Sequence, residues 1–233
     1  MKLKNKNLFA IITIAIIYLF SIGKSISQVT DYDGNVYKTV TIGTQEWMAE
    51  NLNVEHYRNG DVIPQVQDPD EWINLTTGAW CYYENNSDYE KTYGKLYNWY
   101  AVNDPRGLAP EGWRIPSDEE WTQLTDFLGG ITKDTNEYGD EYWIIKEVGN
   151  KLKVTTLWSQ SNEGTTNESG FTAFPGGERA EFGLFNCIDN DSWFWSSSQN
   201  YESLAWSRFL TGSDVVRNSF YKGNGLSVRC VKD

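Results

Sequence analysis

The last forty residues constrain this chain more than any other stretch. Trp193-Phe194-Trp195-Ser196-Ser197-Ser198, Ala205-Trp206-Ser207-Arg208-Phe209-Leu210 and Gly225-Leu226-Ser227-Val228-Arg229-Cys230-Val231 alternate aromatic or branched residues with small polar ones. Gly, Asn and Ser mark the breaks. Period-two alternation interrupted by turn formers predicts short antiparallel strands joined by exposed loops. Trp193 and Trp195 then share one strand face and Phe194 takes the other. The chain carries 11 Trp, 14 Tyr and 10 Phe beside comparatively few aliphatic residues, so one of those faces is core. Large rings with a polar handle favour strands. They suit a core with wet edges and also a binding surface.

The N-terminus reads as an export signal. Lys2, Lys4 and Lys6 precede an uncharged run from Leu8 to Ile22. Ser25-Ile26-Ser27 then places small residues at the −3 and −1 positions of a cleavage site before Gln28. The run is shorter than the about 20 apolar residues that span a bilayer. Residues 1–27 are therefore expected to be a signal peptide, leaving no permanent membrane span. Residues 28–233 are expected to be one domain, secreted or held at the cell surface. Removing the signal sheds four of the 20 basic residues and none of the 32 acidic ones, leaving a net charge near −16. Such a surface repels nucleic acid.

Along the mature chain, Asp33-Gly34 is a turn signal before the alternating run Val36–Ile42, and Gln45–Met48 follows as the return strand of a hairpin. The acidic turn lacks the closing Glu of a calcium loop, since position 42 is Ile42. Ala79–Tyr83 reads as a short buried strand and Leu96–Val102 as a short helix. The clearest helix starts after Pro116. Ser117 caps it, Glu120 completes a capping box, and Trp121, Leu124 and Leu128 with Phe127 form an apolar face. Gly129-Gly130 is expected to end it in a left-handed cap. Residues 131–149 look like an excursion with a polar loop from Asp134 to Asp140, and Phe171–Gly177 like a strand ending in a turn.

Several blocks carry a family resemblance. They are Asp33-Gly34-Asn35-Val36-Tyr37-Lys38-Thr39-Val40-Thr41-Ile42-Gly43-Thr44-Gln45, Trp47-Met48-Ala49-Glu50-Asn51-Leu52, Tyr93-Gly94-Lys95-Leu96-Tyr97-Asn98-Trp99-Tyr100, and Gly112-Trp113-Arg114-Ile115-Pro116-Ser117. Leu108-Ala109-Pro110, Glu168-Ser169-Gly170-Phe171-Thr172-Ala173 and Ser227-Val228-Arg229-Cys230-Val231 complete the set. Together, over residues 31 to 233, they resemble the Fibrobacter succinogenes major paralogous domain family, which implies export. Arg114-Ile115-Pro116-Ser117-Asp118-Glu119-Glu120-Trp121 is also similar to a signature of formylglycine-generating-enzyme-like domains. That similarity implies an α+β fold: a single C-type-lectin-like domain with twisted antiparallel sheets and flanking helices. The hairpin near residue 36 would pair with the strand at 226–231.

The departures from those families are equally informative. The chain lacks their closely spaced cysteine pair, their histidine set and their calcium-lectin tripeptides. Cys81, Cys187 and Cys230 permit three pairings by themselves. Likeness to lectin-like folds implies Cys81–Cys230, with Cys187–Cys230 as the alternative. Asp189 and Asp191, with Asp214 on a later loop, have the oxygen chemistry of a calcium site, and turn chemistry explains them equally well. No other cofactor is expected.

Catalysis has little to stand on. His56 is the single histidine and has no partner in the sequence, so a Ser or Cys nucleophile lacks its usual base. Carboxylate pairs are too numerous to nominate one. Aromatic residues in or beside the predicted loops, Phe182, Phe185, Tyr201, Trp206 and Tyr221, suit stacking on sugar rings beside polar groups that take hydroxyls. Arg208 and Arg217 would add bidentate contacts. The leading expectation is a non-catalytic binding module for a glycan or protein ligand. The alternatives are an adhesin-like surface component and a carboxylate-dependent glycan hydrolase.

Overall fold

The computed structural model describes residues 27–129, 132–135, 141–159 and 163–233. The signal-peptide reading, the Gly130 part of the helix cap and the loop at 136–140 lie outside the described residues. Three strands open the fold: β1 (Gln28–Thr30), β2 (Val36–Ile42) and β3 (Gln45–Met48). The expected hairpin forms, with Ile42 opposite Gln45 and Val40 opposite Trp47. Asp31 organises the turn before it. Its carboxylate accepts the N–H groups of Asp33 and Asn35, the Asn35 amide and the Tyr37 hydroxyl. That is an Asx turn with its acceptors filled by the chain itself.

Short elements follow: α1 (Pro69–Ile73), β4 (Trp80–Cys81), α2 (Glu90–Tyr93), β5 (Leu96–Tyr97), α3 (Trp99–Val102), β6 (Trp113–Arg114) and α4 (Asp118–Leu128). The segment expected to be one helix from Leu96 splits, because Leu96 and Tyr97 pair with β4 and the helix is only the turn capped by Asn98. Then come β7 (Thr132–Thr135), β8 (Glu141–Ile145), α5 (Val148–Leu152), β9 (Gly176–Arg179), β10 (Phe185–Ile188), β11 (Ser192–Gln199), β12 (Leu204–Thr211), β13 (Asp214–Tyr221) and β14 (Val231–Lys232). Part of the expected polar excursion is thus a hairpin, β7 pairing with β8. The strand expected from Phe171 starts only at Gly176.

The architecture is mostly antiparallel sheet with few, short helices. One sheet has the order β1-β2-β3-β14-β6 and a larger one the order β10-β9-β11-β12-β13-β8-β7. The first hairpin and the last strand meet as the resemblance implied: Val231 sits opposite Trp47, and the Met48 and Leu52 amides donate to the Cys230 and Val228 carbonyls. No described helix is long and apolar enough to cross a membrane.

Aromatic residues build the interior, and both faces of β11 are buried. Trp193 and Trp195 join a cluster with Tyr97, Trp99 and Val228, and Phe194 joins another with Trp47, Trp121 and Phe171. So many short, irregular segments leave backbone carbonyls without ladder partners, and these must be satisfied once buried. Indole N–H groups help to do this: Trp80 donates to Ile63, Trp99 to Ser196 and Trp121 to Trp195, and Trp195 adds a second donor to the Tyr97 carbonyl beside the Leu226 N–H. The aromatic surplus therefore fills volume and satisfies backbone at once.

Helix α4 matches its sequence signature at the start and departs at the end. Ser117 Oγ accepts the Glu120 N–H while the Glu120 carboxylate accepts the Ser117 N–H. Trp121, Leu124 and Leu128 are buried, but Phe127 is exposed and lies against Gly43. Gly129 has φ 173, an extended rather than left-handed cap. The Ser196–Ser198 run makes an irregularity in β11, and its Ser198 hydroxyl and Ser197 N–H fasten the start of α4 to the sheet. Ser117→Ala is expected to cost about 1 kcal/mol and lower the melting temperature by about 3 °C. An unchanged melting curve would mean that the sheet contacts alone hold the helix start.

Candidate functional site

The residues singled out from the sequence separate across the large sheet. Strand register pairs Arg208 with Arg217 and Trp206 with Ser219. Arg208 is 1 % exposed and donates to Asp118 Oδ1 at 2.7 Å, the Asp118 carbonyl and Thr122 Oγ1. Arg217 donates to both Asp118 carboxylate oxygens, and its guanidinium lies 3.5 Å from the Trp206 ring centre. Burial alone would raise the Asp118 carboxyl, but the Arg217 and Arg208 contacts outweigh it and hold it below the usual carboxylate range. Both arginines are committed to tying α4 onto the sheet, which corrects the expectation that they offer bidentate ligand contacts. Phe185 is half-buried against Tyr83 at 5.3 Å. Tyr201 is exposed on the loop between β11 and β12 and does not line the groove that holds Phe182 and Tyr221.

Phe182 and Tyr221 do converge. Both are exposed, and with Phe220 they line a groove of about 380 Å³. One wall is the turn between β9 and β10. Ala180 and Leu184 close it by a backbone bond, and Gly183 at φ 87 turns the chain against Pro69 at the start of α1. A Cβ at residue 183 would come within 2.8 Å of Pro69 Cβ, so the approach requires glycine. The other wall is the end of β13, Asn218 to Tyr221, with Leu204 of β12 and Asn224 just beyond β13. Trp72 Nε1 donates to the Gly223 carbonyl at 2.8 Å, and Arg179 and Gly225 exchange backbone bonds of 2.9 and 2.7 Å. Lys222 is turned into the fold, its ammonium on Gln199 Oε1 and the Glu202 carbonyl.

Glu178 and Asn224 form the polar part of the groove, joined by a 2.9 Å bond from Asn224 Nδ2 to Glu178 Oε2. Asn224 is 2 % exposed and its Oδ1 has no partner among the described residues. Burial raises the Glu178 carboxyl, and the Glu181 charge adds to it, against hydrogen bonds from Asn224 and Asn186. Glu181, Asn186, Asn218 and Ser219 complete the polar lining. Such a site offers ring faces to C–H surface and a set of acceptors to hydroxyl or ammonium donors. Sequence reading missed Glu178, Phe220 and Asn224. The Gly223-Asn224-Gly225 triplet signalled a turn and gave no hint that its side chain would be buried.

The other expected sites are not assembled. All three cysteines are free. Cys81 packs with Val66, Trp72 and Leu96, whereas Cys230 packs with Tyr37, Met48 and Trp113 in a separate cluster, so the Cys81–Cys230 disulfide is corrected. Burial pushes every thiol up, Cys81 to about 12, so none is primed as a thiolate. Asp189 accepts the Tyr93 hydroxyl, Asp214 accepts the Glu147 N–H and pairs with Lys146, and burial raises the Asp191 carboxyl. Among the described residues no group of three or more His, Cys, Asp or Glu side chains is placed to hold a metal ion. His56, which lacked a partner in sequence, has one in space: its Nδ1 lies 2.5 Å from Asp33 Oδ1 at a cleft of about 190 Å³.

The blocks that carry the family resemblance are scaffold. Asn51, Lys95, Tyr97, Asn98, Trp99 and Arg229 are all buried, and Lys95 holds Asn53 and sits over the Trp80 ring. Residues 40–232 match the family model described as the Fibrobacter succinogenes major domain. No curated protein and no solved structure matches the chain. With the match running from the first hairpin to the last strand, the chain belongs to the Fibrobacter succinogenes major domain family.

Proposed function

We propose that this protein is an exported, non-catalytic binding module that recognises a glycan through the groove between the β9–β10 hairpin and the end of β13. The export part of this reading rests on the lysines, apolar run and small-residue cleavage site of residues 1–27. The C-type-lectin-like assignment of residues 28–233 as one domain rests on the pairing of the first hairpin with the last strand, supported by the signature at Arg114–Trp121. One observation carries the binding reading: exposed Phe182 and Tyr221, 39 residues apart in sequence, line one groove with Glu178 and with Asn224, whose buried Oδ1 has no partner among the described residues. Aromatic faces next to such an acceptor match the two sides of a pyranose ring.

Binding of residues 28–233 to a glycan array tests this reading. A ligand should emerge, and Phe182→Ala and Tyr221→Ala should each weaken it by at least about tenfold, the loss expected when one stacking face of about 1.5 kcal/mol is removed. Both residues are surface-exposed, so the melting temperature should stay put. A blank array, or a ligand indifferent to both substitutions, would move the assignment to a protein-binding or structural surface component.

The pairing of Glu178 with Glu181 in one groove favours a second reading, a hydrolase acting through two carboxylates. The raised Glu178 carboxyl has the character of a general acid. Release of reducing ends from a bound glycan, abolished in Glu178→Gln, would establish it.

A further inference from the structure

The groove is lined by carboxylates without a cation. Glu178 and Glu181 both line it, and among the described residues no Lys or Arg does. The nearest basic side chain after β13, Lys222, is 9 % exposed and already holds Gln199 and Glu202. Arg179, next to Glu178, points the other way. Its guanidinium donates to the Val66, Gln67 and Gly183 carbonyls and lies over the Trp72 ring. The Glu178 carboxylate is therefore held by the neutral Asn224 amide, with no counter-charge from the groove lining.

The unfilled valences are acceptors too. Asn224 uses its amide N–H on Glu178, and its buried Oδ1 has no hydrogen-bond partner among the described residues. A carboxylate accepts only, so these two groups ask for a donor-rich ligand. Three rings, Phe182, Phe220 and Tyr221, surround them. Ring faces carry negative quadrupole potential and attract a cation held above them. An anionic sugar would meet two carboxylates and no counter-charge, a juxtaposition that costs several kcal/mol at an interface. The groove volume is at the low end of the roughly 300–1,000 Å³ of small-molecule sites, which suits one or two sugar rings.

We propose that the ligand of this groove is an amino sugar with a free, protonated amine, its ammonium held by the Glu178 carboxylate that Asn224 positions and its ring packed against Phe182 and Tyr221. This rests on the glycan reading above and narrows it to a cationic class. The raised Glu178 carboxyl fits the assignment, since burial without a counter-charge lifts it and an ammonium ligand lowers it again.

Calorimetric titration at about pH 6, where a sugar amine is protonated, tests the assignment. The ligands are a glucosamine oligosaccharide, its fully N-acetylated counterpart, a uronic-acid oligosaccharide and a tetralysine peptide. The free-amine oligosaccharide should bind at least about tenfold tighter than the N-acetylated one, with the gap narrowing in high salt as expected for charge recognition. Glu178→Gln should erase that gap. It should not lower the melting temperature, because it removes a carboxylate that is costly to bury. Equal or tighter binding of the N-acetylated or uronic-acid oligosaccharide would overturn the cationic assignment and leave the glycan reading standing. Tetralysine binding tighter than the amino sugar would overturn it in favour of a protein ligand. No binding by any oligosaccharide would remove both readings together.

Discussion

Arg229→Ala is expected to destabilise this protein by about 5 kcal/mol or more, enough to leave most of a typical domain unfolded or insoluble. The side chain is fully buried. Its donors reach Asn51 Oδ1 at 2.6 Å and the carbonyls of Met48, Phe171 and Thr172 at 3.1, 2.5 and 2.8 Å. Those acceptors belong to chain segments that no ladder joins, and the guanidinium also lies 4.5 Å from the Phe171 ring centre. Removing it orphans four acceptors and opens a cavity in the same step. Burial lowers the affinity of this guanidinium for its proton, with the Glu50 charge the leading opposing influence. The side chain is thus retained for the geometry of its donors, and charge alone does not replace it. Arg229→Lys keeps the charge but offers three donors on a flexible stem. It should recover only part of the loss, with a urea midpoint between those of the wild type and Arg229→Ala. A fully restored midpoint in Arg229→Lys would show that charge, not the planar fork, is what the site requires.

Asp118→Ala should cost about 3 kcal/mol, a fall of about 9 °C in melting temperature for a chain of this size. Asp118 is the counter-charge of Arg208, which is 1 % exposed and has no other acid within ion-pair distance among the described residues. Losing the carboxylate leaves that cation buried and uncompensated, the costly way to break an internal pair. Arg217 is partly exposed and has more freedom to reach water. Replacing both members, as in Asp118→Ala with Arg208→Met, should therefore be less damaging than Asp118→Ala alone. A double variant worse than the single one would mean that Arg208 stabilises through its Thr122 and backbone contacts instead. The pH dependence has a definite sign. The folded-state carboxyl lies below its ordinary value, so its contribution is complete above about pH 4 and is lost as pH falls through the folded-state value. Asp118→Asn should flatten that part of the acid limb of a stability–pH curve.

What could be seen in the sequence was local. The capping box at Ser117 and Glu120 needs residues three apart, the Asp33-Gly34 turn needs two neighbours, and the alternation of Trp193, Phe194 and Trp195 needs one strand. Each is set by short-range geometry that the chain carries wherever it goes. The first errors came where a local pattern lost to a distant partner. Leu96 and Tyr97 left a helical reading because β4 supplied a ladder. Arg208 and Arg217 looked like ligand contacts because Asp118, 90 and 99 residues away, is invisible as their partner.

The sequence alone determined the family, the strand-rich character, the aromatic side chains available to both faces of β11 and the start of α4. Those follow from periodicity, capping chemistry and motif order, whereas the pairing of the first hairpin with the last strand was implied by the fold resemblance. Tertiary structure alone decided the groove. Glu178 and Asn224 meet only because Arg179 and Gly225 exchange backbone bonds across 46 residues of chain, and Phe182 joins Tyr221 only because Gly183 folds its turn onto Pro69. A binding site is a coincidence of surfaces from distant segments, and no short-range rule along a chain encodes which distant segments will touch.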